Sequence, residues 1–247
     1  LFRSVSTERT EVRVLFDREH IYIGGEFYDS DPHGIIGFQM QRDGQLNADD
    51  RFMWVLDPFN DQRSGYFFEV NPSGAMGDAQ LVPAQGRNSG MAQNRAWNGI
   101  WNARVRRTDD GWTAEIEIPV RSLNFNPQAE SWGINFQRTI RRKNEETFWT
   151  GWNRNQGLLS LTSAGKLVGL SDLTQGLGLD VKPYLLGSYS SSPGTNQSGT
   201  TNGDAGIDFF YNLTPQLKMN VTFKTDFAQT EVDDRQVNLG RFPLVFR

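Results

Sequence analysis

Between Gly111 and Pro119 the chain reads Trp-Thr-Ala-Glu-Ile-Glu-Ile, an unbroken alternation that puts Trp112, Ala114, Ile116 and Ile118 on one side and Thr113, Glu115 and Glu117 on the other. A period of two is that of a strand with one dry and one wet face. Pro119 then ends the ladder, having no N–H to donate, and Arg121 to Phe125 is expected as a short irregular or helical turn. The same pattern predicts a hairpin: Val12, Val14 and Phe16 share a face, the turn Asp17 to His20 follows, and Ile21 to Phe27 alternates again. Further strands read at Arg51 to Asp57, with Phe52, Trp54 and Leu56 on one face, and at Tyr66 to Asn71, Ile100 to Arg106 and Trp132 to Arg138. Short strands at this spacing predict an antiparallel β-sandwich.

Composition agrees with an all-β fold, because 25 Gly and 12% aromatic residues, with Asn, Asp and Ser between apolar runs, favour strands and turns over long helices. A length of 247 residues fits one large or two modest domains, and the texture changes after Leu170. The predicted organisation is a sandwich over 1–170, a linker over 171–178 (Ser-Asp-Leu-Thr-Gln-Gly-Leu-Gly) and β-hairpins over 179–247. In the last part, Leu179 to Tyr189 leads to a polar tip, Ser190 to Gly203, then Ala205 to Leu213, a tight turn at Asn212 to Pro215, and Leu217 to Asp226. Leu217, Met219, Val221, Phe223 and Thr225 alternate with polar neighbours for about ten residues, a length that suits a tilted strand of a membrane barrel. A long polar loop followed by a short turn is also the asymmetry of outer-membrane barrels. An ordinary hairpin packed on the sandwich would read the same way.

Several function classes are disfavoured. The net charge is -4 and Arg is scattered among Asp and Glu, so no nucleic-acid footprint forms. Without Cys there is no disulfide framework, zinc-thiolate site or thiol nucleophile. No run of 18 apolar residues encodes a transmembrane helix, and no Gly-rich phosphate loop opens a helix. The chain begins at Leu1 without Met and without a signal-type leader, so it is expected to be a piece of a longer protein.

Thr10 to Asp17, His20 to Asp29 and Gly111 to Pro119 resemble the family 9 carbohydrate-binding module. A closer match is to a bacterial outer-membrane family of unassigned function in which such a module precedes a β-barrel. The segments carrying it include Asp57 to Pro72, Trp132 to Arg138 with Arg141 to Glu145, and Thr225 to Asp234 with Val237 to Phe242. The resemblance implies a non-catalytic envelope protein of a Gram-negative bacterium, its module in the periplasm and its barrel in the outer membrane, with truncation at both ends. Three or four strands cannot close a barrel. The implied partners are a glycan, the outer membrane and a further envelope protein. A structural or docking domain without sugar affinity is the alternative, and glycoside hydrolysis is a distant third.

Sugar modules hold pyranose rings against exposed aromatic faces, with polar groups orienting the hydroxyls. Trp54, Trp112 and Trp132 fall on apolar strand faces and are expected in the core. Trp97, Trp101, Trp149 and Trp152 have Gly and polar neighbours and are the candidate platforms. By resemblance, one stacking Trp should precede the strand beginning near Asp50, but Gly44 to Ala48 holds no aromatic residue. The family's Arg-x-Asn pair reads Glu69-Val-Asn71, so only Asn71 matches, and Trp152 stands for the second Trp. If the module binds sugar, these four Trp should be exposed on one concave face; in a docking domain they should be buried against residues after 178.

Other constellations have simpler explanations. Glu115 and Glu117 lie ~6.7 Å apart along one strand face, near a glycosidase carboxylate separation, but on a wet face. No cofactor is expected: Asp29 with Asp31, Asp49 and Asp50 with Asp57, and Asp233 with Asp234 could offer oxygens to Ca²⁺, yet turn chemistry accounts for such Asp residues. His20 and His33 lack a second ligand at useful spacing. The basic run Arg138 to Lys143 is expected to be solvated or to pair with Glu145, Glu146 and neighbouring carboxylates; an anionic glycan or lipid head group is its sharper use.

Overall fold

The computed structural model of the chain describes residues 6–84, 90–151, 156–170, 173, 179–190, 200–214 and 217–223. Two compact units are present, Leu1–Gly176 and Leu177–Arg247, and their boundary falls inside the 171–178 segment.

The first unit contains β1 (Thr10–Phe16), β2 (His20–Tyr28), β3 (Arg51–Asp57), β4 (Gly65–Val70), β5 (Met76–Pro83), β6 (Met91–Asn94), β7 (Asn102–Thr108), β8 (Gly111–Pro119), β9 (Ser131–Ile140), β10 (Glu145–Phe148) and β11 (Gly165–Val168). One sheet has the order β1-β2-β8-β7; the other runs β10-β9-β3-β4-β5-β6, with β11 also on β9. β10 pairs with residues 137–140 of β9 and β11 with residues 131–134, so two short strands share one flank of a long one. All pairings are antiparallel.

Alternation places the core. Ile21, Ile23 and Phe27 of β2 and Trp112, Ala114, Ile116 and Ile118 of β8 form one inner face; Phe52, Trp54 and Leu56 of β3, Tyr66, Phe68 and Val70 of β4, and Trp132 and Ile134 of β9 form the other. The Phe27 ring stacks on Trp112 at 4.0 Å between centroids, and Trp54 stacks on Phe68 at 5.3 Å. Trp54, Trp112 and Trp132 are essentially inaccessible, as the strand faces predict.

The large sheet is buried on its outer side too. Met53, Val55, Phe67, Ala79 and Leu81 form a second apolar layer, covered by Leu158 and Leu161 from the segment after β10. This explains why Arg51–Asp57 is a nearly continuous apolar run. Gly111 is required where β8 begins: its φ is +152°, and a Cβ there would lie 2.0 Å from the Phe27 carbonyl oxygen.

An ionic cluster joins the two sheets. Arg138 of β9, 2% exposed, donates to the carbonyls of Arg9 and Tyr28 at 3.0 and 2.8 Å and to the Thr10 hydroxyl at 3.1 Å. Burial lowers the pKa of its guanidinium, opposed by Asp29, Asp50 and Glu8. Arg142 and Lys143 pair with Glu8, and Arg142 also with Asp29. Arg138, Arg142 and Lys143 of the basic run therefore pair with carboxylates distant in sequence, Glu8 and Asp29, and Arg141 donates to the Asn47 carbonyl.

The second unit is a three-stranded antiparallel sheet, β12 (Leu179–Ser190), β13 (Thr200–Thr214) and β14 (Leu217–Phe223), in that order. The register aligns Leu179 with Tyr211 and Met219, Val181 with Phe209 and Val221, and Pro183 with Ile207 and Phe223. These rows share one face, on which Leu179, Val181, Phe209, Tyr211, Met219, Val221 and Phe223 are exposed. Lys182, Asp208 and Thr222 align on the opposite face. No closed barrel forms among the described residues.

Candidate functional site

A cleft of about 1110 Å³ opens over the outer face of the seven-stranded sheet. Its floor comes from alternation on four strands: Arg51 and Met53 of β3, Phe67 of β4, Gln93 of β6 and Gln137 of β9, with Glu69 of β4 buried behind Arg51. Glu146 and Phe148 of β10, the turn bearing Gln62 and Arg63, and residues 156–162 form its walls. Apolar side chains and planar amides therefore share one concave surface.

Glu69 is the electrostatic centre of that floor. It is 1% exposed, and its carboxylate accepts from Arg51 and Arg95, each at 3.0 Å. Arg51 also donates to Asn47 at 3.2 Å and Arg95 to Gln93 at 3.0 Å, so the charges sit within an amide network. The Arg95 guanidinium lies 5.8 Å from the Phe67 ring centroid, within cation–π range. Gly77, opposite Glu69 on β5, makes room: a Cβ there would stand 3.0 Å from the Glu69 side chain. Asp57 accepts from Gln62 N at 2.8 Å and from Asp61 N at 3.3 Å, fixing the turn that presents Arg63. Burial, reinforced by nearby Asp61, raises the Asp57 carboxyl above its ordinary range against the Gln62 N–H bond.

The expected aromatic platforms do not converge. Trp101 is 6% exposed, crosses Trp54 edge-on, and donates its indole N–H to Asp78 at 2.8 Å, so it belongs to the core of its own sandwich. Trp97 is half-buried against Tyr66, with ring centroids 4.7 Å apart. Trp149 is 53% exposed and lines a separate depression of about 750 Å³ with Phe136 and Leu167. Trp152 lies outside the described residues. Gly and polar neighbours mark loops correctly for Trp97, Trp101 and Trp149, but a loop side chain can still turn inward when a buried carboxylate receives it.

Asn71 is also closed to a ligand. It is fully buried, donates to the Gln39 carbonyl at 2.8 Å and Asp49 at 2.7 Å, and accepts from Ser73 and Ala75 N–H groups. All its hydrogen-bonding capacity is spent holding the loop before β3. Asp49 accepts the N–H groups of Phe38 and Gln39, and Asp50 those of Ile36 and Arg141. Asp29, Asp49, Asp50 and Asp57, weighed as Ca²⁺ ligands, thus serve as loop anchors, whereas Asp233 and Asp234 lie outside the described residues. Among the described residues no group of three or more His, Cys, Asp or Glu side chains is placed to hold a metal.

Glu115 and Glu117 are exposed as expected, but they do line a depression, of about 490 Å³, with Tyr22, Asn102 and Arg104 on the outer face of the four-stranded sheet. His20 lies 3.8 Å from Glu117 at its end. The Arg51, Glu69 and Arg95 set is not legible in the sequence, because Arg95 reaches the site from beyond β6, a strand too short to show a period.

No family model and no curated protein matches the chain. Among solved structures it is similar to a Bacteroides uniformis protein provisionally described as carbohydrate-binding, with 14% identity, a TM-score of 0.49, and coverage of 65% of this chain and 78% of that one. It is also similar to a family 9 carbohydrate-binding module of Caldicellulosiruptor kristjanssonii in complex with glucose (15% identity, TM-score 0.46, 70% and 83% covered) and with cellotriose (13%, 0.47, 67% and 77%).

Proposed function

We propose that this chain is a non-catalytic cell-envelope protein whose sandwich holds a glycan in the cleft over its large sheet. The observation that carries the reading is the cleft: amides of Gln62, Gln93 and Gln137 stand beside Phe67, Phe148 and Leu158, the mixture that lets a sugar lay its apolar face down while its hydroxyls are oriented. The motif resemblance points to the same ligand class. A non-catalytic role is supported by Glu69, whose carboxylate is buried and held by two guanidinium partners instead of facing the cleft freely.

Attachment to an outer-membrane barrel, with the sandwich in the periplasm, is supported by the second unit. Its exposed apolar face, and outer strands β12 and β14 that pair with no further strand among the described residues, are what the first strands of a barrel would present to lipid and to further strands.

Affinity electrophoresis of the whole chain through gels containing neutral and acidic polysaccharides tests the glycan reading. Retardation that is lost in Gln137→Ala and Phe148→Ala, both checked for folding by circular dichroism, supports it. Migration identical in all gels rejects it and favours the docking alternative.

A further inference from the structure

The cleft carries an excess of positive charge on a protein whose net charge is -4. Among its described lining groups are three guanidiniums, Arg51, Arg63 and Arg95, against one carboxylate, Glu146, with Glu69 buried behind the first and last of the guanidiniums. Glu69 has both oxygens taken by Arg51 and Arg95. Arg51 Nε is nevertheless buried without an acceptor, so the floor is short of acceptor oxygens rather than donors. Arg63 is exposed, and its guanidinium has no partner among the described residues. Its position is not that of a free surface arginine: Asp57 pins the preceding turn, where Asn60 and Gln62 adopt left-handed φ values of 52° and 59°.

A neutral sugar brings as many donors as acceptors, and would leave this imbalance in place. A carboxylate brings acceptors alone, in the planar shape that a guanidinium fork receives bidentately. Resting on the glycan reading above, we propose that the ligand is an acidic glycan, one whose sugars carry carboxylates, and that Arg63 is the group that selects for the charge. Phe148 and Leu158 supply the apolar contacts common to any sugar, while Arg63 separates acidic from neutral.

The test is isothermal titration of the whole chain with tetragalacturonate, its fully methyl-esterified form and cellotetraose, at 50 and 300 mM NaCl, for wild type and Arg63→Gln. The ester keeps every ring and hydroxyl and removes only the charge. The expected result is at least tenfold tighter binding of the acid than of the ester, weakened by salt and reduced to near parity in Arg63→Gln. Equal affinity for acid and ester in the wild type, or tighter cellotetraose binding, overturns the charge selection and leaves the glycan reading standing. An acid preference unchanged in Arg63→Gln overturns the role of Arg63. Absence of heat with all three ligands overturns both readings.

Discussion

Glu69 and Glu8 are both carboxylates buried among cations, but they belong to different parts of the account. Glu69 organises the cleft, whereas Glu8 closes the sandwich end, accepting from the Ser30 N–H at 3.0 Å, the Ser30 hydroxyl at 2.7 Å, Arg142 and Lys143. Burial pushes the Glu8 carboxyl up, but its hydrogen bonds to Lys143 and Ser30 and the Lys143 charge outweigh that and bring it from 4.5 down to about 2. A folded-state value below the unfolded one means that this stabilisation is complete above the unfolded value and is lost as pH falls from 4.5 towards about 2. Asp50, Asp57 and Asp78, raised by burial, act with the opposite sign: their contribution is full below the ordinary carboxylate range and fades as pH rises through their raised values. Urea unfolding of Glu8→Gln should therefore show a flatter acid limb than wild type, with stability at pH 7 lower by about 1–3 kcal/mol. Trp101→Phe, which removes one of the two donors to Asp78 Oδ2 and leaves Arg42 in place, should cost about 0.5–1.5 kcal/mol in the same assay. None of these partnerships was legible in the sequence, because Glu8 with Lys143 and Trp101 with Asp78 are joined only by the sheet packing.

At the scale of elements, the strands with clean alternation were the legible ones. The expected range Arg51 to Asp57 is β3 itself, and Trp112 to Ile118 lies within β8 with the expected faces. β5, β6, β10 and β11 were not foreseen. β5 carries Gly77 and the buried Asp78 in its interior, and β6, β10 and β11 have four residues each, too few for a period to register. The latch between the sheets was equally hidden, since Arg138 lies on an inner face where the pattern asks for an apolar side chain. Its guanidinium fork reaches three acceptors, on Arg9 just before β1, Thr10 of β1 and Tyr28 of β2, that a lysine ammonium could not serve together. Arg138→Lys should lower stability by about 2–4 kcal/mol and raise amide exchange at the Thr10 end of β1 before the rest of the sheet.

For the whole molecule, the two units expose different chemistry. The first hides its apolar residues on both faces of its large sheet and leaves a polar cleft; the second shows an apolar ladder in three aligned rows. That ladder was readable in advance as alternation from Leu217 onward, and the cleft was not, because its residues are scattered from Asn47 to Thr162. Surface of this kind should drive association in water. Gel filtration of the chain should show self-association that dodecyl maltoside disperses, while Val181→Asn combined with Phe209→Asn should remain dispersed without detergent. The central claim, a glycan seated over the large sheet, is tested most directly by hydrogen–deuterium exchange with and without a retarding oligosaccharide. The account predicts protection at Gln62 to Glu69, at Met91 to Arg95 and around Gln137; protection confined to the Glu115 and Glu117 depression or to β12 to β14 would contradict it.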